Sequence, residues 1–303
     1  MNQFSISQLA QFSGIKPHTI RIWEQRYNAL QPQRSEGNTR YYDGAQLRRL
    51  LNIVSLSKSR LKISRLCAMN DEELFNLLQE YYLTAEEQND YDYFVNRLVA
   101  AGMSYDEDGF TKLFSHCLLR FGLVATYKNI IYPMLNRVGL MWSANSIPPS
   151  QEHYITNLVR QKLFTSIDAM ASEGEEAAKW LLFLPENEFH EIGLLFAGYL
   201  LKSTGNRVIY LGANVPLSSV KDSLEDTGAD HIMLFLVHKD LPENISEFLD
   251  ELSEVGKNKE IFIACSKELA GDFSSRTSFN WIHSVEDLEK ELDGKGAKIN
   301  STN

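Results

Sequence analysis

The stretch ENEFHEIG, residues 186–193, sets Glu188 two residues before His190 and Gly193 three residues after it. A neutral imidazole is a good ligand for a transition metal, and a nearby carboxylate such as Glu188 can fix which ring nitrogen carries the proton. A second spacing holds the same residue types. In WSANSIPPSQEH, Trp142 is followed after nine residues by Glu152-His153, an aromatic ring, a carboxylate and an imidazole. Neither spacing decides by itself. Six of the seven histidines lie outside the first 70 residues, and His190 can equally be a capping group, Glu152-His153 a helix-start pair and Trp142 a core residue.

The elements around these residues narrow the choice. ENEFHEIG follows the apolar run WLLFLP and leads into LLFAGYLL. The last third of the chain repeats that alternation: RVIYLG, HIMLFLV, IFIAC and FNWIH are interleaved with helix-like LSSVKDSLEDTG and ENISEFLDELSEVG. Strands buried on both faces with helices between them predict a parallel α/β sheet. In such a sheet ligands bind beyond the carboxyl ends of the strands, where His190 falls.

From about residue 71 to 172 the apolar positions follow helical spacing. DEELFNLLQEYY, YDYFVNRLVAAG, GFTKLFSHCLLRFG, ATYKNIIYPMLNRVGLMW and SQEHYITNLVRQKLFTSIDAM predict four main helices and a shorter lead-in, a bundle. Trp142 then ends one helix and Glu152-His153 open the next, beyond a turn broken by Pro148 and Pro149. The expectation is that they cluster at one bundle end and cap the sheet edge that carries His190, enclosing a cofactor pocket. ASEGEEAAK (171–179) reads as a linker.

The net charge of −10 over 303 residues conceals an asymmetry. Residues 1–70 hold eleven Lys/Arg against three Asp/Glu, a net +8, which leaves −18 for the remainder. A basic head on an acidic body predicts that the head meets a polyanion. Within it, Ser5 and Gly14 bracket a short helix, Pro17 starts a second that buries Ile20 and Trp23, and a turn-rich hairpin follows, with Asp43 placed to cap the next helix. This is a helix-turn-helix with a wing. Arg21 and Arg26, with His18 and Thr19 near the helix start, and Arg34, Asn38, Arg40 and Tyr41 on the hairpin supply the cations and forked donors that DNA needs. Three widely spaced cysteines argue for free thiols in a reducing cytoplasm. No signal peptide or membrane span is expected.

FSISQLAQFSGIKPHTIRIWEQRYNALQPQRSEGNTRYYD resembles the winged-helix domain of the MerR transcription regulators, across nearly all of residues 3–70. The resemblance implies DNA contacts from Thr19, Arg21 and Arg26 on the recognition helix and from Arg34, Arg40 and Tyr41 on the wing, with Ile20 and Trp23 in the core. It also implies a homodimer or tetramer on a double-stranded operator, and it admits RNA polymerase as a further partner.

Residues 75–292 resemble the cobalamin-binding module of methionine synthase and of the light-sensing CarH/LitR group of MerR regulators. The resemblance implies that His190 is the lower axial ligand to cobalt. It places Trp142, Glu152 and His153 against the upper face and the adenosyl group of adenosylcobalamin, and lets Gly193 admit the corrin or its tail close to the helix backbone. Three departures stand out. The histidine that follows the tryptophan in photoreceptor members is Ser143 here, and the small residues that make room for the nucleotide tail are replaced by Val237-His238-Lys239 and Ala264-Cys265. YLGANVP (210–216) keeps the family's loop.

The fold class expected is multidomain α and α/β: a winged helix at 1–72, a four-helix bundle at 73–174, a Rossmann-like, flavodoxin-like sheet at 178–295, and a disordered tail at 296–303. The function expected is a cytoplasmic DNA-binding regulator controlled by cobalamin, not an enzyme. The alternatives are a regulator whose sensor answers another small molecule or a protein, and a corrinoid carrier in an enzyme system.

Overall fold

The computed structural model describes residues 4–34, 38–57, 61–74, 76–77, 91–143, 147–170, 174, 177–237 and 244–299. They fall into two compact units, Met1–Leu158 and Val159–Asn303.

In the first unit, local capping chemistry sets the helix ends. The Ser5 side chain accepts from the Gln8 N–H (3.3 Å) while Gln8 Oε1 accepts from the Ser5 N–H (2.5 Å), opening α1 (Ile6–Ser13), which stops at Gly14 with φ +70°. Pro17 opens α2 (Pro17–Tyr27), where its missing N–H costs no intrahelical bond. β1 (Gln33–Arg34) and β2 (Arg40–Tyr41) pair antiparallel, and Phe4 bridges to Tyr42. Asp43 accepts from the Gln46 N–H (2.9 Å) and caps α3 (Gly44–Leu56), followed by α4 (Ile63–Ala68). Leu9, Phe12, Ile20, Leu30, Tyr42, Leu47 and Leu50 are buried. Trp23, expected in the core beside Ile20, is instead half-buried.

Four further helices follow: α5 (Tyr91–Met103), α6 (Glu107–Thr126), α7 (Tyr132–Ser143) and α8 (Pro149–Asp168). Gly122 breaks α6 with φ 74° and ψ 166°, at the glycine where the sequence pattern ends that helix. A wide turn, Tyr127–Ile131, joins α6 to α7, with the Tyr132 N–H bonded to the Tyr127 carbonyl. Pro133 follows at once, and the wider turn accommodates its ring and missing N–H. Arg137 donates to the Phe12 carbonyl (3.1 Å) and to Asn96 Oδ1 (2.5 Å), joining α1 to α5 and α7. Residues 71–74 and 76–77 of the expected lead-in helix DEELFNLLQEYY are helical, and its other half lies outside the described residues.

The second unit is a five-stranded, wholly parallel sheet in the order β4-β3-β5-β6-β7. Its strands are β3 (Lys179–Phe183), β4 (Arg207–Gly212), β5 (His231–Leu236), β6 (Glu260–Cys265) and β7 (Phe279–Ile282). The connecting helices are α9 (Ile192–Ser203), α10 (Leu217–Thr227), α11 (Ile245–Val255) and the short α12 (Lys267–Ala270); α13 (Val285–Ile299) closes the chain. The expected 171–179 linker is shortened by Lys179, which opens β3. The tail expected from 296 is helical as far as Ile299, and the last four residues lie outside the described residues.

This is the flavodoxin-like order, and all five apolar runs of the sequence are strands. Leu181, Phe183, Ile232, Leu234, Ile261 and Ile263 fill the core on one side of the sheet, with Val220, Leu224, Leu249 and Leu252 packed onto them from α10 and α11. The strand order reverses at β3, because its successor β4 lies on one side and β5 on the other. A crevice at a strand's carboxyl end is expected at such a switch point. The chain leaves β3 there through ENEFHEIG.

Candidate functional site

The loop between β3 and α9 is held from three sides. The Leu184 N–H donates to the Gly212 carbonyl (2.8 Å), and the Val215 N–H returns to the Leu184 carbonyl (2.9 Å). The Asn187 N–H donates to Asn214 Oδ1 (2.9 Å), and the Asn214 N–H donates to the Glu188 carbonyl (3.2 Å). Asn187 and Asn214 both adopt positive φ (65° and 58°), a conformation asparagine tolerates better than most residues.

At the centre is Glu188, whose side chain is only 1% exposed. Its Oε1 accepts from the Phe189 N–H (2.9 Å), the His190 N–H (3.0 Å) and His190 Nδ1 (2.6 Å), and its Oε2 accepts from the Val237 N–H at the end of β5 (3.2 Å). Three backbone donors hold the carboxylate, and the carboxylate holds the imidazole. With Nδ1–H bonded to Glu188, the neutral ring carries its lone pair on Nε2, the atom a metal would take. The His190 side chain is 58% exposed, and the neighbouring Phe189 and Val237 side chains are exposed apolar groups. An oriented imidazole within an apolar rim suits a large, flat, apolar-faced metal macrocycle. The residues present therefore fit the ligating part of a corrinoid.

Gly193 packs against the neighbouring strand. A Cβ there would lie 2.7 Å from Cε1 and 2.9 Å from Cδ1 of Phe235, so the missing side chain lets α9 settle onto the β5 aromatic ring. His238 and Lys239, which the sequence offers at the tail position, lie outside the described residues. Cys265 is half-buried, and burial pushes its thiol up to about 11.

Glu191, which the sequence reading passed over, is the second buried carboxylate of the loop. Its Oε2 lies 2.6 Å from Arg160 Nη2 of α8, and its Oε1 accepts from the Tyr210 hydroxyl of β4 (2.9 Å). Burial, followed by the Glu191 charge, raises the Tyr210 pKa far above the usual phenol value and keeps it a donor. The only sequence signal was adjacency to His190, because Arg160 and Tyr210 lie 31 residues before and 19 after Glu191.

Trp142 stands in the last turn of α7 and is 49% exposed, so it is not a core residue. Glu152 lies in the first turn of α8, and its Oε2 is 2.7 Å from His153 Nδ1. His153 is well exposed. These three residues do occupy a helix end and the following helix start, as the spacing predicts. Among the described residues no group of three or more His, Cys, Asp or Glu is arranged to hold a metal ion by itself. A cavity of about 610 Å³ between α10 and α11 is lined by Leu217, Lys221, Asp250 and Glu254 and does not include His190.

In the basic head, Arg21 and Arg26 project from α2 into solvent and Thr19 is half-buried on the same helix. Arg34 is exposed on β1 and donates to Asn38 Oδ1 (2.5 Å). Arg40 is engaged within the fold. Its Nε donates to Glu24 Oε1 of α2 (2.9 Å), while Glu24 Oε2 accepts from the Tyr42 hydroxyl (2.8 Å). Arg40 thus ties the wing to the recognition helix, a role the sequence did not disclose. Tyr41 is half-buried beside it. No helix among the described residues is long and apolar enough to cross a membrane.

Residues 4–69 match the MerR HTH family of regulatory proteins, and residues 95–165 match the B12 binding domain. The chain is 25% identical over 254 residues to the HTH-type transcriptional repressor CarH of Myxococcus xanthus, an alignment that covers 83% of this chain and 84% of that protein. It is 26% identical over 248 residues to the repressor CarA of the same organism, covering 81% of each. The fold is similar to that of the monomethylamine corrinoid protein of Methanosarcina barkeri, with a TM-score of 0.53 and 14% identity over 66% of this chain and 97% of that one. The chain therefore joins a head that matches the MerR HTH family to a segment that matches the B12 binding domain, on a fold shared with a corrinoid protein.

Proposed function

We propose that this chain is a cytoplasmic DNA-binding transcription regulator, not an enzyme, whose state is set by a cobalamin. The observation that carries the cofactor half is His190. It stands at the carboxyl end of the switch-point strand with Nδ1 held by a buried carboxylate, and Phe189 and Val237 add exposed apolar side chains to the same loop and strand end. Bound there, a corrinoid would supply a cobalt centre for an imidazole to ligate. His190 is the proposed ligand, and Glu188 orients it. We assign Trp142, Glu152 and His153 as further cofactor contacts on the strength of the resemblance. Gly193 is retained as a residue that brings α9 close to β5. For the DNA half, Arg21, Arg26 and Arg34 are exposed cations for phosphates and base edges, with Thr19 and Tyr41 beside them. Arg40 contributes by fixing the wing.

The head implies a homodimer on a pseudo-palindromic operator, since MerR-type heads read two half-sites. Cofactor binding would act as a population shift between assemblies that differ in affinity for that operator. Adenosylcobalamin is the form proposed, with light as a second input.

Purified full-length protein mixed with adenosylcobalamin in the dark and passed through a sizing column tests this. Co-elution of a coloured, imidazole-ligated corrinoid, lost or spectrally altered in His190→Ala, is expected, with operator binding that changes on cofactor addition. Failure to retain any corrinoid overturns the cofactor half. One observation favours a second reading, a regulator that answers a different ligand: Phe235 occupies the space beside Gly193. Operator binding that ignores every cobalamin form and light would support it.

A further inference from the structure

We propose that Arg160 is a positioning residue for His190, acting through its ion pair with Glu191. The inference rests on the ligand role assigned to His190 above.

The loop carries two buried carboxylates on either side of His190 in sequence, Glu188 two residues before it and Glu191 directly after it. Their environments differ. Glu188 is saturated from within the unit by three backbone N–H groups and by the imidazole itself. Glu191 draws its side-chain donors from two other elements, the guanidinium of Arg160 on α8 (2.6 Å) and the hydroxyl of Tyr210 on β4 (2.9 Å). Of these only Arg160 carries charge. A buried carboxylate that loses its cation is left uncompensated and is strongly destabilised where it stands.

Movement at Glu191 cannot be confined to that residue. Its carbonyl accepts from the Leu195 N–H (2.9 Å) in the first turn of α9, and its N–H donates to the Phe189 carbonyl (2.9 Å) across His190. Glu191 thus fixes both the start of the helix and the backbone on which the imidazole sits. The Arg160 side chain is 42% exposed while that of Glu191 is 8% exposed, so the pair is anchored on the loop side and open on the α8 side. Removing Arg160 leaves the anion in place and takes away its counter-charge. The loop then relaxes, and the bond between Glu188 and Nδ1 no longer aims Nε2.

The probe is hydroxocobalamin titrated into the full-length protein, with affinity and the axial-ligand absorbance bands both recorded. Arg160→Met is expected to weaken binding by about tenfold, the lower end of what outer-shell changes do to metal affinity, and to shift the bands toward those of His190→Ala. Glu191→Gln added to Arg160→Met is expected to recover most of the affinity, because it removes the stranded charge and keeps an acceptor for Tyr210. In a His190→Ala background Arg160→Met is expected to have no further effect, the mark of action through that residue.

The inference is overturned if Arg160→Met binds as the wild type does. It is also overturned if the loss persists undiminished without His190, or if Glu191→Gln restores nothing. If His190→Ala itself leaves affinity and bands unchanged, the ligand assignment fails and this inference falls with it. Arg160→Gln, shorter and polar, replaces Arg160→Met throughout if the latter does not fold.

Discussion

Glu188→Ala is the substitution whose cost can be worked most directly from the structure. The carboxylate is 1% exposed and accepts from the backbone of Phe189, His190 and Val237 and from His190 Nδ1. Alanine leaves three backbone N–H groups without their acceptor. Each donor stranded in a buried position costs about 1–3 kcal/mol. Phe189 and Val237 lie at an exposed edge, so water meets part of that demand, and a total of about 3 kcal/mol is expected. For a unit of this size that corresponds to a fall in Tm of roughly 6–12 °C. The assay is a thermal melt of the full-length protein, with hydrogen exchange across the β3–α9 loop identifying which part loosens. Glu188→Gln should lie between the two, since its amide keeps one acceptor oxygen but turns an NH2 group toward either Val237 N–H or the imidazole. A second readout is the imidazole itself. In the wild type the ring proton sits on Nδ1, and in Glu188→Ala that preference is lost, as nitrogen chemical shifts of the ring report. A Glu188→Ala protein that melts within about 1 °C of the wild type, less than 1 kcal/mol, would refute the reasoning. So would one that keeps the Nδ1–H tautomer.

Arg21→Ala and Arg26→Ala are each expected to weaken operator binding and to reduce its salt dependence by about one phosphate contact. Binding measured at several salt concentrations checks this, and an unchanged slope and affinity for both would remove α2 from the interface. Gly193→Ala should destabilise the fold by about 1–3 kcal/mol, because the new methyl overlaps the Phe235 ring. Denaturant unfolding of Gly193→Ala, Phe235→Ala and the double variant tests it, and the Gly193→Ala loss should vanish in the Phe235→Ala background. Cys265, raised by burial to about 11, is the least buried of the three thiols. At pH 8 only roughly one molecule in a thousand carries its thiolate, by the ordinary titration relation, so alkylation should be slow and should rise about tenfold per pH unit. Rapid labelling at pH 8 would contradict that.

The parts of the fold legible in the residue pattern were those fixed by near neighbours. Ser5 and Asp43 marked helix starts because a cap accepts from a backbone N–H three residues on, and Pro17 because its missing N–H costs nothing in a first turn. The five apolar runs read as strands because a parallel strand buried on both faces is apolar throughout. His190 was placed at a strand–helix junction on that basis alone, and Trp142 at a helix end.

What tertiary structure decided was how those residues are held and what surrounds them. Trp142 is exposed and Trp23 only half-buried, although both are large aromatics at helical spacing, because burial depends on which helix faces cover one another. Arg40 was legible as a cation on the wing. Its salt bridge to Glu24 arises only when hairpin and recognition helix fold together. Glu188 was recognised as a partner for the imidazole two residues on. Its hold on Val237 depends on β5 lying beside β3. Gly193 was legible as a place of close approach, and its nearness to Phe235 follows from that same pairing. The ion pair between Arg160 and Glu191 joins residues 31 apart, and Tyr210 completes it from β4. Sequence determined the local elements and the chemical types at the sheet edge, since both follow from periodicity and side-chain chemistry. The order of the strands decided which of those groups meet, since that order is set by packing among elements distant in the chain.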